Sequence, residues 1–256
     1  MHPAGPVSSR WSDLRLRVAS AVVLLPVALG CLYAGGVAWL ALVLAATLAL
    51  VWEWWRLWRL KPGAMPALTL LAGWFYMIFG AGALYWLRSD PVVGLIDVLF
   101  LLAVVWASDI GAYVAGRMIG GPKLAPAISP GKTWSGAAGG LIAATLIGTG
   151  AAALLAPGGA SRAAAIAAMI VGLLVSRAVA PGPASHALTV AAGLAVASQL
   201  GDLLESALKR HFGVKDSSRL IPGHGGVFDR LDGVLAAGPV ALLLAAMLGP
   251  GVELWR

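Results

Sequence analysis

The chain is short of charge. Of its 256 residues only 11% are Asp, Glu, Lys or Arg, and 60% are hydrophobic, whereas a soluble domain carries about 25% charged residues. That shortage excludes a water-facing surface over most of the molecule, so the solvent for that surface is lipid. Cysteine is almost missing too. The one residue, Cys31, sits inside an apolar run, which excludes a disulfide framework and suits a helix-packing role. Histidine is sparse, and His2, His186 and His211 show no metal-ligand spacing. The net charge is +7, but Lys and Arg sit at the edges of apolar segments. That is the positive-inside pattern, so the partner expected is a lipid bilayer and not nucleic acid.

What is present is a series of long apolar runs. No charge occurs from Val18 to Trp52, too long for one membrane helix of about 20 residues. Ala34-Gly35-Gly36 is the natural break. The second span ends in Trp52, Trp54, Trp55 and Trp58 among Arg56, Arg59 and Lys61, the composition of a membrane interface on the cytoplasmic side. Glu53 reads as an interfacial partner of a neighbouring Arg. Further spans are expected at Ala64–Leu87, at Val92–Ala107 with Asp97 inside it, at Trp134–Ala156, at Ala187–Leu208 and at Leu231–Leu248. Ala163–Ser176 has an uncharged core too short for a clean span, although Arg162 and Arg177 could extend it by snorkelling. The expectation is an all-α, polytopic transmembrane helical bundle of about seven to nine spans. Residues 1–17 read as a cytoplasmic tail, and residues 18–256 as one integral membrane domain with active-site segments 106–136 and 199–233. Both polar segments carry excess Lys and Arg and so both belong at the cytoplasmic face, and whether Ala163–Ser176 crosses decides if the number of crossings between them is even.

The second polar segment runs from Gln199-Leu200-Gly201-Asp202 through Ser206, Lys209, Arg210, Lys215, Asp216, His224, Asp229, Arg230 and Asp232. Ionisable residues within or beside membrane helices are costly and usually functional. Helical spacing puts Asp202, Ser206 and Lys209 on one face, and Asp229 and Asp232 three apart at the start of the last helix. Between them lies Pro222-Gly223-His224-Gly225-Gly226, whose small residues let backbone N–H groups approach a ligand. Converging carboxylates suit a hard cation such as Mg²⁺, and Lys and Arg suit phosphates. Together they are the apparatus of phosphoryl or nucleotidyl transfer. The first polar segment holds Asp109, Gly116-Arg117, Lys123 and Ser129-Pro130-Gly131-Lys132-Thr133. Its end is not a P-loop, because Pro126 stands where the first Gly is needed. A turn with Lys132 and Thr133 entering a helix can still bind phosphate.

The stretch from Ser206 to Asp232 resembles the phosphatidate cytidylyltransferase (CDP-diacylglycerol synthase) family. Ser206, Leu208, Lys209-Arg210, Lys215-Asp216, Ser218, Ile221-Pro222, His224-Gly225-Gly226 and Asp229-Arg230-Leu231-Asp232 match that family's signature at every position. Asp109 to Tyr113, Gly116-Arg117, Ser129-Pro130 and Lys132-Thr133 are similar as well. Members often carry Glu-Gly where this chain has Ser135-Gly136, and Lys where it has Gly131, so an acidic role at position 135 is not available. The resemblance implies that the phosphate of phosphatidate attacks the α-phosphorus of CTP, releasing pyrophosphate and forming CDP-diacylglycerol for phospholipid synthesis. Mg²⁺ is the implied cofactor, with room for a second cation, and the location implied is the cytoplasmic membrane. Asp202, Asp229 and Asp232 are the expected metal ligands. Lys209, Arg210 and Lys215 would neutralise phosphates, with Asp216 and Arg230 in the same catalytic set. His224-Gly225-Gly226 would shape the nucleotide or pyrophosphate turn. Asp109, Arg117, Ser129, Lys132, Thr133 and Ser206 would contact substrate. Assembly as a homodimer is left open.

Two rivals are weighed. The CDP-alcohol phosphotransferases need further Asp residues after an Asp-Gly pair, and none follows Asp232-Gly233. An ion-coupled transporter would use the same carboxylates as coupling sites, and would move substrate without chemistry.

Overall fold

The computed structural model describes residues 7–61, 66–155 and 183–256. Ala163–Ser176 lies outside the described residues. Among them seven helices are long and apolar enough to cross a membrane. They are α1 (Val7–Ala34), α2 (Gly36–Arg59), α3 (Ala67–Arg88), α4 (Gly94–Met118), α5 (Trp134–Leu155), α6 (Pro183–Phe212) and α7 (Phe228–Leu248). The expected helical bundle class is borne out. The break between α1 and α2 falls at Gly35 and Gly36, with φ of 65° and 49°, a left-handed conformation that glycine adopts without a Cβ clash.

Two departures concern the first polar segment. The helix expected to end near Ala107 continues to Met118, so Asp109 and Arg117 stand on α4. After it comes a two-stranded antiparallel hairpin, β1 (Lys123–Ala125) and β2 (Ser129–Thr133), which pairs Lys123 with Thr133 and Ala125 with Ser129.

The chain forms two compact units, Met1–Ile78 with Lys209–Leu231, and Phe79–Leu208 with Asp232–Arg256. In the first, α2 buries one face formed by Trp39, Val43, Leu50, Glu53, Trp54 and Leu57, the spacing of an amphipathic helix. The Trp54 indole N–H donates to the Leu70 carbonyl at 3.0 Å, and its ring meets Phe212 edge-on at 5.9 Å. A side chain at Gly73 would collide with that indole.

In the second unit, α4 and α5 pack through small residues. A Cβ at Gly111 would stand 2.7 Å from the Gly139 carbonyl oxygen, and one at Gly136 would stand 2.9 Å from that of Ala112. Such contacts let helix backbones approach in lipid, where dispersion replaces the hydrophobic effect between helices. That packing is why α4 persists through polar Ser108 and Asp109. The end of the chain is anchored by two carboxylates. Asp97 accepts the Leu254 N–H at 3.0 Å, and Asp90 accepts that of Gly251 at 2.7 Å. Leu254 and Trp255 are buried, the Trp255 ring lying 4.9 Å from Phe100. Asp90 lies outside the spanning helices, and the N–H groups of Val93, Gly251 and Val92 hold its carboxyl below the usual value.

Candidate active site

In the second unit a cavity of about 530 Å³ opens between α4, the hairpin, α5 and α6. Asp109 and Arg117 reach it from α4, Lys132 and Thr133 from β2, and Gln199 and Asp202 from α6. The hairpin mouth is fixed by hydroxyls. Thr133 Oγ1 accepts the Gly136 N–H at 3.1 Å, capping the start of α5. Thr133 and Ser135 hydroxyls meet at 3.0 Å, and Ser135 donates onward to the Gly120 carbonyl. Ser135 therefore closes the hairpin onto the turn that follows α4. The Gln199 amide donates to Ser108 Oγ and to the Ala137 carbonyl, each at 3.2 Å, so α6 is tied to both α4 and α5.

Lys132 Nζ lies 2.7 Å from Asp202 Oδ2, with side chains 25% and 38% exposed. The ammonium nitrogen is itself shielded from solvent, and a phosphate in the cavity would compete with Asp202 for it. Asp202, Glu205 and Asp232 bring one carboxylate oxygen each within 4.8 Å of one another. They meet because glycine lets α6 and α7 touch there. A Cβ on Gly201 would stand 2.6 Å from the Asp232 carbonyl, and one on Gly233 would collide with the Ser198 hydroxyl. Like charges this close repel, and a cation relieves them. Hard oxygen donors of this kind suit Mg²⁺ or a similar ion, so the three residues present fit such a metal. Glu205 is absent from the sequence expectation. The signal that could have found it is its spacing, three residues after Asp202 on the same helix.

The first unit holds a different polar centre. Asp229, with 5% of its side chain exposed, takes Lys209 Nζ at 2.8 Å. Its Oδ2 also accepts the Ser217 N–H at 2.9 Å, the Ser217 hydroxyl at 3.0 Å and the Gly226 N–H at 2.8 Å. Glu53 is fully buried and does not serve a neighbouring Arg as expected. Its carboxylate accepts the hydroxyls of Ser217 at 3.0 Å and Ser218 at 2.5 Å, and the N–H groups of Val227 and Phe228, both at 2.8 Å. Arg56 turns instead to the Ser217 carbonyl, at 3.2 Å. A buried carboxylate is stable only when its lone pairs are filled in this way.

The Pro-Gly-His-Gly-Gly turn is fixed from several sides. Ile221 N–H donates to the Gly225 carbonyl at 2.8 Å, and His224 N–H to that of Ile221 at 2.9 Å. His224 Nδ1 lies 2.8 Å from Ser20 Oγ on α1. The Arg230 guanidinium donates twice to the His224 carbonyl, at 3.0 and 2.8 Å. Gly225 has a φ of 85°, and a Cβ there would stand 2.8 Å from Asp229 Oδ2. Arg210, Lys215 and Asp216 lie exposed in the same unit, and Ser206 is half-buried on α6. Ser129 pairs with Ala125 in the hairpin.

The model of the Cytidylyltransferase family matches residues 15–90 and 75–248. The phosphatidate cytidylyltransferase of Brucella suis biovar 1 (strain 1330) is 36% identical over 92% of this chain and 94% of its own length. The protein of the same name from Rickettsia bellii (strain RML369-C) is 30% identical over 91% of each chain. That from Haemophilus influenzae is 40% identical over 68% of this chain and 56% of its own. The match spans both polar centres and the helices that carry them, and the chain belongs to the cytidylyltransferase family.

Proposed function

We infer that the protein transfers the cytidylyl group of CTP to phosphatidate, giving CDP-diacylglycerol and pyrophosphate at the cytoplasmic face of the inner membrane. The observation that carries this reading is the cavity holding Asp109, Arg117, Lys132, Thr133 and Asp202 in a chain so similar to phosphatidate cytidylyltransferases. In the step proposed, a phosphate oxygen of the lipid forms a bond to the α-phosphorus of CTP. The bond from that phosphorus to the bridging α–β oxygen breaks, and pyrophosphate leaves with the electron pair.

Asp202, Glu205 and Asp232 would hold Mg²⁺. When bound, the ion would neutralise phosphate charge and orient the oxygens. Lys132 and Arg117 would meet phosphate in the cavity, and the backbone at the capped start of α5 would add donors. Lys209, Arg210 and Lys215 keep their expected role as phosphate partners, and His224-Gly225-Gly226 its role as the nucleotide or pyrophosphate turn. Asp229, expected with the metal ligands, is assigned to the same chemistry. Its orientation is set by Lys209, Ser217 and Gly226. The transporter reading gains no support from the relatives.

The test is direct. Purified protein in lipid nanodiscs receives CTP labelled at the α-phosphate, phosphatidate and Mg²⁺. The reading expects label in the lipid fraction and one pyrophosphate per labelled lipid. Label that stays wholly in the aqueous phase, with folded protein, would contradict it.

A further inference from the structure

We propose that Glu53, on α2, is a positioning residue that sets Asp229 through the Ser217 hydroxyl and so orders the signature loop for turnover. This rests on the cytidylyl-transfer reading, since it concerns how a carboxylate of that site is held.

Glu53 is wholly buried and accepts four hydrogen bonds, all from residues of the signature region. Two of the donors are the N–H groups of Val227, just before α7, and of Phe228, its first residue, where a carboxylate is favoured by the unpaired N–H groups and the helix dipole. A side chain from α2 thus caps α7 in place of a local residue. The other donors, Ser217 and Ser218, fix the opposite arm of the loop. Gly226 sits against the clamp, and a Cβ there would stand 2.6 and 2.8 Å from the two Glu53 oxygens and would collide with Ser217 Oγ. The second glycine of His-Gly-Gly is therefore required by the Glu53 and Ser217 side chains.

Ser217 Oγ is the link. It stands 3.0 Å from Glu53 Oε2 and 3.0 Å from Asp229 Oδ2. One hydroxyl has one proton, so the two carboxylates share a single donor and a shift of either moves the other. Backbone donors complete the coupling, because Gly226 N–H serves Asp229 while the next two N–H groups serve Glu53. Gln in place of Glu53 would keep the shape but aim an NH₂ at groups that are themselves donors.

The experiment uses the full chain in nanodiscs, with rates expressed per folded, monodisperse molecule. Glu53→Gln is expected to lower kcat about tenfold or more, since small misplacement of a reacting group costs that much. KM for CTP and for phosphatidate is expected to stay within about twofold, because Glu53 is wholly buried and is expected to act only through other residues. Ser217→Ala is expected to show the same split, and the double variant to lie within about threefold of the worse single variant. Amide hydrogen exchange over residues 217–229 is expected to quicken in Glu53→Gln. Unchanged kcat per folded molecule, or losses that multiply as independent effects, would overturn the proposal. If Glu53→Gln does not fold, Ser217→Ala decides alone by the same kcat criterion. If the wild type makes no CDP-diacylglycerol, the function reading fails instead. The exchange result then judges the clamp alone, and wild-type exchange in Glu53→Gln would sink it.

Discussion

The protein has two carboxylate settings, and they are built on opposite principles. In the second unit, Asp202, Glu205 and Asp232 face one another within 4.8 Å beside a cavity, with Lys132 paired to Asp202. In the first unit, Glu53 and Asp229 are enclosed by hydroxyls, backbone N–H groups and a lysine. A carboxylate surrounded by donors is held in one orientation. Carboxylates gathered against each other are poised for a cation. The same residue type is thus enclosed by donors in one place and set against like charge in the other.

The largest expected effect breaks the receptive setting. Asp202→Asn or Asp232→Asn should lower initial cytidylyl transfer by about 10²–10³-fold, the scale of losing one group that stabilises charge in a reacting centre. Membrane insertion and monodispersity should be unchanged, which size-exclusion chromatography checks. Next comes Gly226→Ala, which forces a methyl group into the donor-rich setting against Ser217 and Glu53. Overpacking of this kind costs about 1–3 kcal/mol, so thermal unfolding in detergent should shift down and turnover should fall with it.

A smaller effect is expected from Lys132→Met, which removes the cation beside Asp202. KM for the phosphate-bearing substrates should rise by about tenfold, in line with a lost charge-assisted hydrogen bond of about 1.5–3 kcal/mol. Michaelis profiles in each substrate separate this from a kcat effect.

How much of this was legible in the sequence depended on how local the cause was. The break at Gly35-Gly36 and the ends of α2, α5 and α7 follow from glycine, from the Trp-Arg interface and from apolar length. The hairpin and the continuation of α4 through Asp109 were not legible. Polar residues there suggested a loop, whereas the cause is packing of Gly111 and Gly116 near Gly139 and Gly136 of another helix. Glu53 was misread for the same reason. Its chain neighbours include Arg56 and Arg59, but its donors lie 164 to 175 residues away. Most of the site residues came from the signature, while Glu205 needed the meeting of α6 and α7 to stand out.

The smallest effect concerns the chain end, where Asp90 sits in a donor-rich setting of its own. Its folded pKa is held below the unfolded value, so its contribution is present above the unfolded pKa and fades as pH falls through the lowered one. Asp90→Asn should therefore flatten the acid limb of the stability profile and leave the profile at higher pH parallel to wild type. Melting temperature against pH reads this out.

The most direct measurement is cation binding at the gathered carboxylates, read by the electron paramagnetic resonance of Mn²⁺ with Mg²⁺ as competitor. Wild-type protein in nanodiscs should bind Mn²⁺, Mg²⁺ should displace it, and Asp202→Asn and Asp232→Asn should each weaken binding by about tenfold or more. Wild-type affinity in both variants would contradict a cation site at these carboxylates.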